Sequence, residues 1–169
     1  MSQHDRTDQA TGTPSRDRPT DAGAYQFWVE EKLRNMDTDQ YGHVNNAAIA
    51  SFCESGRMSI YADKDVAEAM KSYSPVVVRL LLEFHEEVFF PGTVRVGTTV
   101  VEIGNTSFQV IQSVFKDDNR VASSMATCVL IDRTTRKPVR VPAIIRDRLQ
   151  TVQPSHFQSH VTSGAPDAN

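Results

Sequence analysis

The spacing of hydrophobic positions changes near the start of this chain, from the period of a strand to that of a helix. Residues 25–34 alternate largely between apolar and polar side chains, which predicts a half-buried strand ending near Arg34. From Ala47 the apolar positions recur at helical spacing, and either Asn45 or Asn46 can cap the first turn. The face of this long helix is formed by Ile49, Ala50, Cys53, Gly56 and Ile60.

A run of strands follows the long helix and a shorter helix predicted over residues 63–71. Short turn sequences rich in Pro, Gly, Asn and Asp separate the strands, and such connections join antiparallel neighbours in a meander. The predicted strands are residues 76–89, 93–103, 107–116 and 121–131. Pro142 is placed as the first residue of a short C-terminal helix. An antiparallel sheet with one long helix on one face is an α+β architecture.

Both ends of the chain differ in composition from its middle. Residues 1–24 have scarcely any large apolar side chain and cannot offset the entropy lost on ordering, so we expect a disordered tail before a domain over residues 25–149. Residues 150–169 are predicted to form a second polar tail. It holds His156 and His160 at a spacing that suits two metal ligands on a helix. No helical pattern or third ligand accompanies them, so we expect no metal site.

Composition excludes several classes of protein. The 18 basic and 21 acidic residues give a net charge of -3, which argues against binding to nucleic acid. Cys53 and Cys128 stand far apart without a C-x-x-C pattern, which excludes zinc ribbons and disulfide scaffolds and indicates the reducing cytoplasm. The most apolar stretch contains Arg79 and Glu83 and is too short to cross a membrane. Residues 1–24 also lack the apolar region of a secretory signal.

The loop before the long helix carries the densest set of chemically active residues. Residues 37–46 read D-T-D-Q-Y-G-H-V-N-N, and the helix carries Glu54 and, three residues later, Arg57. Together with the order of strand, loop, helix and strands, this pattern resembles the hotdog-fold acyl-CoA thioesterases of the 4-hydroxybenzoyl-CoA thioesterase type over residues 25–149. One departure is Ile49, where members often carry Tyr, and it bears on the choice of acyl group.

The resemblance implies both an architecture and an activity. It implies a hotdog fold, in which an antiparallel sheet wraps around one long central helix. It also implies a homodimer or a homotetramer built from dimers, with active sites at the dimer interface. The implied substrate is an acyl-CoA, hydrolysed to free acid and CoA without a metal or organic cofactor.

Catalytic roles are also implied for residues of the loop. Thioester hydrolysis needs a nucleophile or base beside the carbonyl and donors for the oxyanion. Asp39 matches the catalytic carboxylate of the family, and either direct attack or deprotonation of a water remains open. The free N–H of Asn46 at the helix start is the expected oxyanion donor. Gly42 supplies a positive φ or room for substrate, and His43 orients the loop or touches the substrate.

Further residues are assigned to the substrate or to the scaffold. We expect Val44, Asn45, Glu54 and Arg57 to contact the substrate. For the last two, an ion pair on a solvated face is the alternative, and Glu54 is also the reserve catalytic carboxylate, because some hotdog enzymes use a helix glutamate. Asp37 is expected to organise the loop.

Two other groups of residues have alternative roles. His85 is expected to be a hydrogen-bonded strand histidine rather than a catalytic one. A cationic group near the end of the chain fits either CoA phosphates or a solvated hairpin tip. Its members are Arg133, Arg136, Lys137 and Arg140.

Other functions on the same fold remain open at this point. One is a non-catalytic acyl-CoA-binding domain, and another is a hydratase or dehydratase, which would need a paired Asp and His at a different spacing. A purely structural interaction protein is a further alternative. The chain has no G-x-G-x-x-G, P-loop or G-x-S-x-G pattern, so nucleotide-binding and serine-hydrolase functions lose their main support.

Overall fold

The computed structural model describes residues 22–62 and 64–151 of the chain. The long helix α1 spans Asn46–Ser59, α2 spans Lys64–Ala69 and α3 spans Ala143–Thr151. The strands are β1 Phe27–Lys32, β2 Tyr73–Phe84, β3 Thr93–Ile103, β4 Ser107–Lys116 and β5 Asn119–Asp132. Short 3-10 turns at Ala22–Ala24 and Asn35–Asp37 flank β1.

The five strands form one antiparallel sheet in the order β1-β3-β4-β5-β2. The predicted meander holds for β3, β4 and β5, whose connections are short. It is wrong for β2, which pairs with β5 at the far side of the sheet and not with its successor β3. The reason is that the segment after β2 is used as a crossing: its Val88 carbonyl accepts a hydrogen bond from Val44 N–H, and its Gly92 carbonyl accepts one from Leu33 N–H.

Helix α1 packs against β1, β3 and β4, which gives the predicted α+β architecture of a sheet around one central helix. Its buried residues are Ile49, Phe52, Cys53, Gly56 and Arg57. Gly56 sets the distance of closest approach, because a Cβ there would lie 2.7 Å from Gln112 Nε2 and 2.8 Å from Thr98 Oγ1. The predicted helix therefore includes a contact that only a residue without a side chain permits.

Several predicted boundaries shift for local reasons. β2 begins at Tyr73 and ends at Phe84, and does not reach residue 89. Pairing with β5 stops there because the N–H groups of His85 and Glu86 both donate to one carbonyl, that of Val121. α1 begins one residue earlier than predicted, at Asn46. Pro142 precedes α3, and its carbonyl accepts the Arg146 N–H at 2.8 Å.

An aromatic cluster covers the sheet face opposite α1, near β1. Side chains alternate along a strand, so Gln112 faces the helix while its neighbours Ser113 and Phe115 face this cluster. The Tyr25 hydroxyl bonds Ser113 Oγ at 2.7 Å, and the Tyr25 and Trp28 rings lie 6.0 and 5.6 Å from the Phe115 ring. Arg95 stacks on Trp28 at 5.2 Å. The cluster fixes the edge strand β1 to the sheet.

The predicted domain boundaries remain predictions, because most of both tails lies outside the described residues, as do His156 and His160. Within residues 22–62 and 64–151 no helix has the length and apolarity that a membrane span requires. In the same ranges, no group of three or more His, Cys, Asp or Glu side chains is placed to hold a metal ion.

Candidate active site

The loop between β1 and α1 holds Asp39 in a tight turn. Asp39 Oδ1 accepts hydrogen bonds from the N–H groups of Tyr41 at 2.8 Å and His43 at 3.1 Å, and Asp39 N–H donates to the His43 carbonyl at 2.8 Å. Gly42 closes the turn at φ +85°, as expected from the motif. Oδ2 of Asp39 has no hydrogen-bond partner among the described residues. One carboxylate oxygen is therefore anchored and the other is left for chemistry.

Asp37 organises the loop, as predicted. Its Oδ2 accepts the Arg34 N–H at 2.7 Å, and its carbonyl accepts the Asn45 N–H at 2.7 Å. Thr38 and Val44 form an antiparallel bridge across the loop. These bonds close the loop on itself and deliver the chain to the start of α1.

The start of α1 presents a free donor beside the loop. Asn45 is the N-cap, and its Oδ1 accepts the Ala47 N–H at 2.8 Å. The N–H of Asn46, the first helical residue, has no partner in the part of the chain that the structure describes. Backbone N–H groups at a helix start carry partial positive charge and favour an anion. Asn46 is therefore suited to hold a developing oxyanion.

Asp39 and Asn46 line the same cavity, which has a volume of about 390 Å³. His43, Val44 and Ile49 complete this wall, so the loop and the first turns of α1 form one side of the site. Gly42, Asn45, Glu54 and Arg57 are predicted site residues that do not line it. The structure thus brings together four of the eight predicted residues.

The second wall comes from the last residue of β2 and the segment after it, whose contribution the sequence did not reveal. It is formed mainly by Phe84, His85, Glu86, Glu87 and Val88. This segment lies beside the loop through the bond from Val44 N–H to the Val88 carbonyl. His43 bridges both walls: its ring meets the Phe89 ring edge-on at 4.9 Å, and its Nε2 lies 3.7 Å from Glu87 Oε1.

His85 is hydrogen-bonded, as predicted, but it lies beyond the end of β2 and inside the candidate site. Its Nε2 lies 2.9 Å from Ser123 Oγ, and that hydroxyl donates to Glu83 Oε2 at 3.3 Å. The signal in the sequence is the run Glu83-Phe84-His85-Glu86-Glu87, rich in charge, at the end of an apolar strand.

Glu54 and Arg57 are neighbours on α1, one turn apart, but they differ in burial. Glu54 is exposed, whereas Arg57 is only 6% exposed and its Nη1 donates to Gln112 Oε1 at 2.9 Å. The alternative of an ion pair on a solvated face is therefore wrong for Arg57. Nε of Arg57 is buried without a hydrogen-bond partner among the described residues. Arg57 fastens the helix to β4 rather than reaching the cavity.

The cationic group after β5 is partly committed to the fold. Arg133 Nε donates to the carbonyls of Met70 at 3.1 Å and Tyr73 at 2.8 Å, and Arg136 adopts φ +60° in the turn. The group does not line the cavity that holds Asp39.

Both cysteines are buried free thiols. Burial raises the pKa of Cys53 and of Cys128 to about 11, although the positive charge of Arg57 acts in the opposite direction on both thiols. Little thiolate therefore forms at neutral pH, and neither residue is a candidate nucleophile.

Comparison with known proteins identifies the family. The sequence model of the Thioesterase-like superfamily matches residues 33–149. The acyl-acyl carrier protein thioesterase ATL2 of Arabidopsis thaliana, a chloroplast protein, is 27% identical over 134 residues, which cover 76% of this chain and 71% of the relative.

Solved structures agree with this assignment. The PA5185 protein of Pseudomonas aeruginosa is 25% identical with a TM-score of 0.70, covering 79% of this chain and 96% of that one. A thioesterase of Thermus thermophilus, solved with coenzyme A and Zn, is 25% identical with a TM-score of 0.68, covering 77% and 96%. The chain belongs to the Thioesterase-like superfamily and has the hotdog fold. It is a thioester hydrolase.

Proposed function

We propose that this thioester hydrolase cleaves acyl-CoA to free acid and CoA, with Asp39 as the catalytic carboxylate and Asn46 as the oxyanion donor. The observation that carries the proposal is that Asp39 and Asn46 line one cavity, the first with one carboxylate oxygen outside the hydrogen bonds of the loop and the second with a free backbone N–H. The coenzyme A in the Thermus thermophilus thioesterase supports CoA as the carrier of the acyl group.

The geometry accounts for how a thioester would react. A carbonyl oxygen placed at the Asn46 N–H gains negative charge as the acyl carbon becomes tetrahedral, and the helix start stabilises that charge. Asp39 Oδ2 either attacks the acyl carbon to form a mixed anhydride or aligns and deprotonates a water. Because Oδ1 is fixed by two backbone N–H groups, the carboxylate keeps one orientation through either route.

A panel of acyl-CoAs with a thiol-reactive dye tests the proposal. The panel should include aromatic, short aliphatic and betaine-like acyl groups, since the cavity alone does not fix the acyl group. The raised pKa of both cysteines keeps the background low, so the dye reports released CoA. Thiol release from at least one substrate is expected. Saturable CoA binding without turnover would instead favour the non-catalytic alternative, and absorbance of an enoyl-CoA would reveal a hydratase.

We further propose that the active form is a homodimer, or a tetramer of dimers, assembled through β2. This strand is an edge of the sheet, and an edge presents unpaired backbone groups to a second chain. Its apolar side chains are exposed to an unusual degree, and Val78 is 61% exposed. The exposed members are Val77, Val78, Leu80, Leu81 and Phe84. Because Phe84 also lines the cavity, the second copy would lie beside the site. We also propose a cytoplasmic location, on the separate ground of the two unpaired cysteines.

Replacing Leu80 by Glu tests the assembly. Leu80 is 43% exposed on β2, so a carboxylate there would be buried unpaired in the dimer and should yield monomers with hydrolysis lowered roughly 10-fold or more. Light scattering and steady-state rates measure both effects. The matched control is Ile144→Glu, because Ile144 is also 43% exposed but lies on α3. An unchanged oligomer in Leu80→Glu, or a wild-type monomer with full activity, would refute assembly through β2.

A further inference from the structure

The carboxylate of Asp39 takes its position from the main chain of His43. The His43 N–H donates to Asp39 Oδ1 at 3.1 Å, and the His43 carbonyl accepts the Asp39 N–H at 2.8 Å. Between these two residues the chain is exposed over residues 40–42. Exposed loops are mobile unless packed groups hold them. The contacts that fix His43 therefore also fix the orientation of the carboxylate.

His43 is held by the segment that follows β2. Its main chain forms an antiparallel bridge with Phe89, and the next residue, Val44, donates its N–H to the Val88 carbonyl at 2.7 Å. The His43 ring meets the Phe89 ring edge-on, with 4.9 Å between the centroids and 84° between the planes. Edge-to-face pairs of this kind are attractive beyond the apolar area that they bury. The ring and the main chain of His43 are thus held by the same residue, Phe89.

Phe89 is itself tied to the sheet. Lys116, the last residue of β4, donates from Nζ to the Phe89 carbonyl at 2.7 Å. A Cβ at Gly92 would lie 3.2 Å from Lys116 Cε, so the lysine stem packs along the same segment. A continuous set of contacts therefore runs from β4 through Lys116, Phe89 and His43 to Asp39.

Core packing does not account for the Phe89 ring. It is 47% exposed, and it does not line the cavity that holds Asp39. Its neighbour Phe90 is 42% exposed but has no aromatic partner among the described residues. The two phenylalanines therefore differ mainly in the contact of Phe89 with His43.

We propose that Phe89 and Lys116 are positioning residues for Asp39 and act through His43; this inference rests on the proposed catalytic role of Asp39. Neither residue lines the cavity, so the effect is on the placement of the carboxylate and not on contact with the substrate. The rate of a reaction depends steeply on such placement, since a displacement of about 1 Å can lower it by about 100-fold.

Phe89→Ala removes the ring and leaves the main-chain bridge to His43. We expect kcat for acyl-CoA hydrolysis to fall by roughly 10-fold, with KM within about twofold. Phe89→Tyr keeps an aromatic ring against His43 and should retain the wild-type kcat. Phe90→Ala, which removes the neighbouring exposed ring, is the matched control and should also retain it. Urea unfolding of each variant should have the wild-type midpoint, because both rings are exposed.

A double-mutant cycle tests the route through His43. His43→Ala removes the ring that Phe89 contacts and leaves the main-chain bonds to Asp39. In that background Phe89→Ala should lower kcat by no more than about twofold further, because its partner is already absent. Losses that multiply in the double variant would show that Phe89 acts independently of His43, and would overturn the inference.

Lys116→Met tests the link to β4. Methionine keeps an apolar stem but removes the ammonium that bonds the Phe89 carbonyl, and we expect kcat to fall about threefold with KM unchanged. The matched control is Lys64→Met, exposed at the start of α2, which should keep both constants. A raised KM with the wild-type kcat in Lys116→Met would assign Lys116 to the substrate and refute its role as a positioning residue.

The outcomes separate this inference from the function on which it rests. Wild-type kcat in Phe89→Ala overturns the inference and leaves Asp39 as the catalytic carboxylate. Full activity in Asp39→Asn, or failure of the wild-type protein to release thiol from any acyl-CoA, overturns the proposed function and this inference with it.

Discussion

Asp39→Asn is expected to lower kcat for acyl-CoA hydrolysis by about 1,000-fold without changing the fold. The asparagine Oδ1 can still accept the two loop N–H bonds from Tyr41 and His43, so the turn remains closed. The other position becomes an amide nitrogen, which neither attacks an acyl carbon nor takes up a proton. Steady-state thiol release measures the loss, and thermal unfolding followed by circular dichroism checks the fold.

A control of the same chemistry lies far along the chain from the loop. Asp147 is exposed on α3, outside the cavity, and Asp147→Asn should keep the wild-type rate. If Asp39→Asn retained more than about a tenth of the activity, the assignment of Asp39 would be wrong. If Glu54→Gln lost activity while Asp39→Asn stayed active, Glu54 would be the catalytic carboxylate.

Gly56→Val is expected to lower the free energy of unfolding by about 3 kcal/mol. A Cβ at Gly56 would lie 2.8 Å or less from Gln112 Nε2, Thr98 Oγ1 and Val96 Cγ1. These atoms belong to the sheet, and Gln112 Nε2 already bonds the Cys53 carbonyl at 2.8 Å. The helix must therefore move away or break that bond. Urea denaturation measures the free energy of unfolding.

Ser51→Val is the matched control for this prediction. Ser51 is exposed on the same helix, so valine there changes only the helix propensity and a weak bond to the Ala47 carbonyl. We expect a loss below about 1 kcal/mol. Equal stability of the two variants would show that α1 does not depend on the missing side chain at Gly56.

The local part of the site could be predicted from the sequence because its interactions span few residues. The Asp39 turn closes within four residues, and the Asn45 cap reaches two residues ahead. Such bonds follow from residue type and order, so the loop, the cap and the long helix were all foreseen. The antiparallel pairing of β3, β4 and β5 was predicted for the same reason, from their short turns.

The remaining part depends on residues that are distant in sequence. Arg57 has the residue type of a solvated face, but Gln112, fifty-five positions away, offers an acceptor inside the sheet and makes its burial possible. The sequence predicts one continuous strand over residues 76–89, where the structure has the second wall of the cavity. The chain leaves the sheet after Phe84, and the Val88 carbonyl accepts a hydrogen bond from the Val44 N–H instead of from a strand. No periodicity in either segment reveals this pairing.

The aromatic cluster near β1 also determines what the tryptophan fluorescence of the protein measures. The chain contains one tryptophan, Trp28, which packs on Phe115 and under Arg95 and does not line the cavity. Its fluorescence should therefore change when β1 separates from the rest of the sheet. Because Trp28 does not touch the cavity, a ligand bound there makes no direct contact with the indole ring, and an acyl-CoA with its own chromophore is the more direct probe of occupancy.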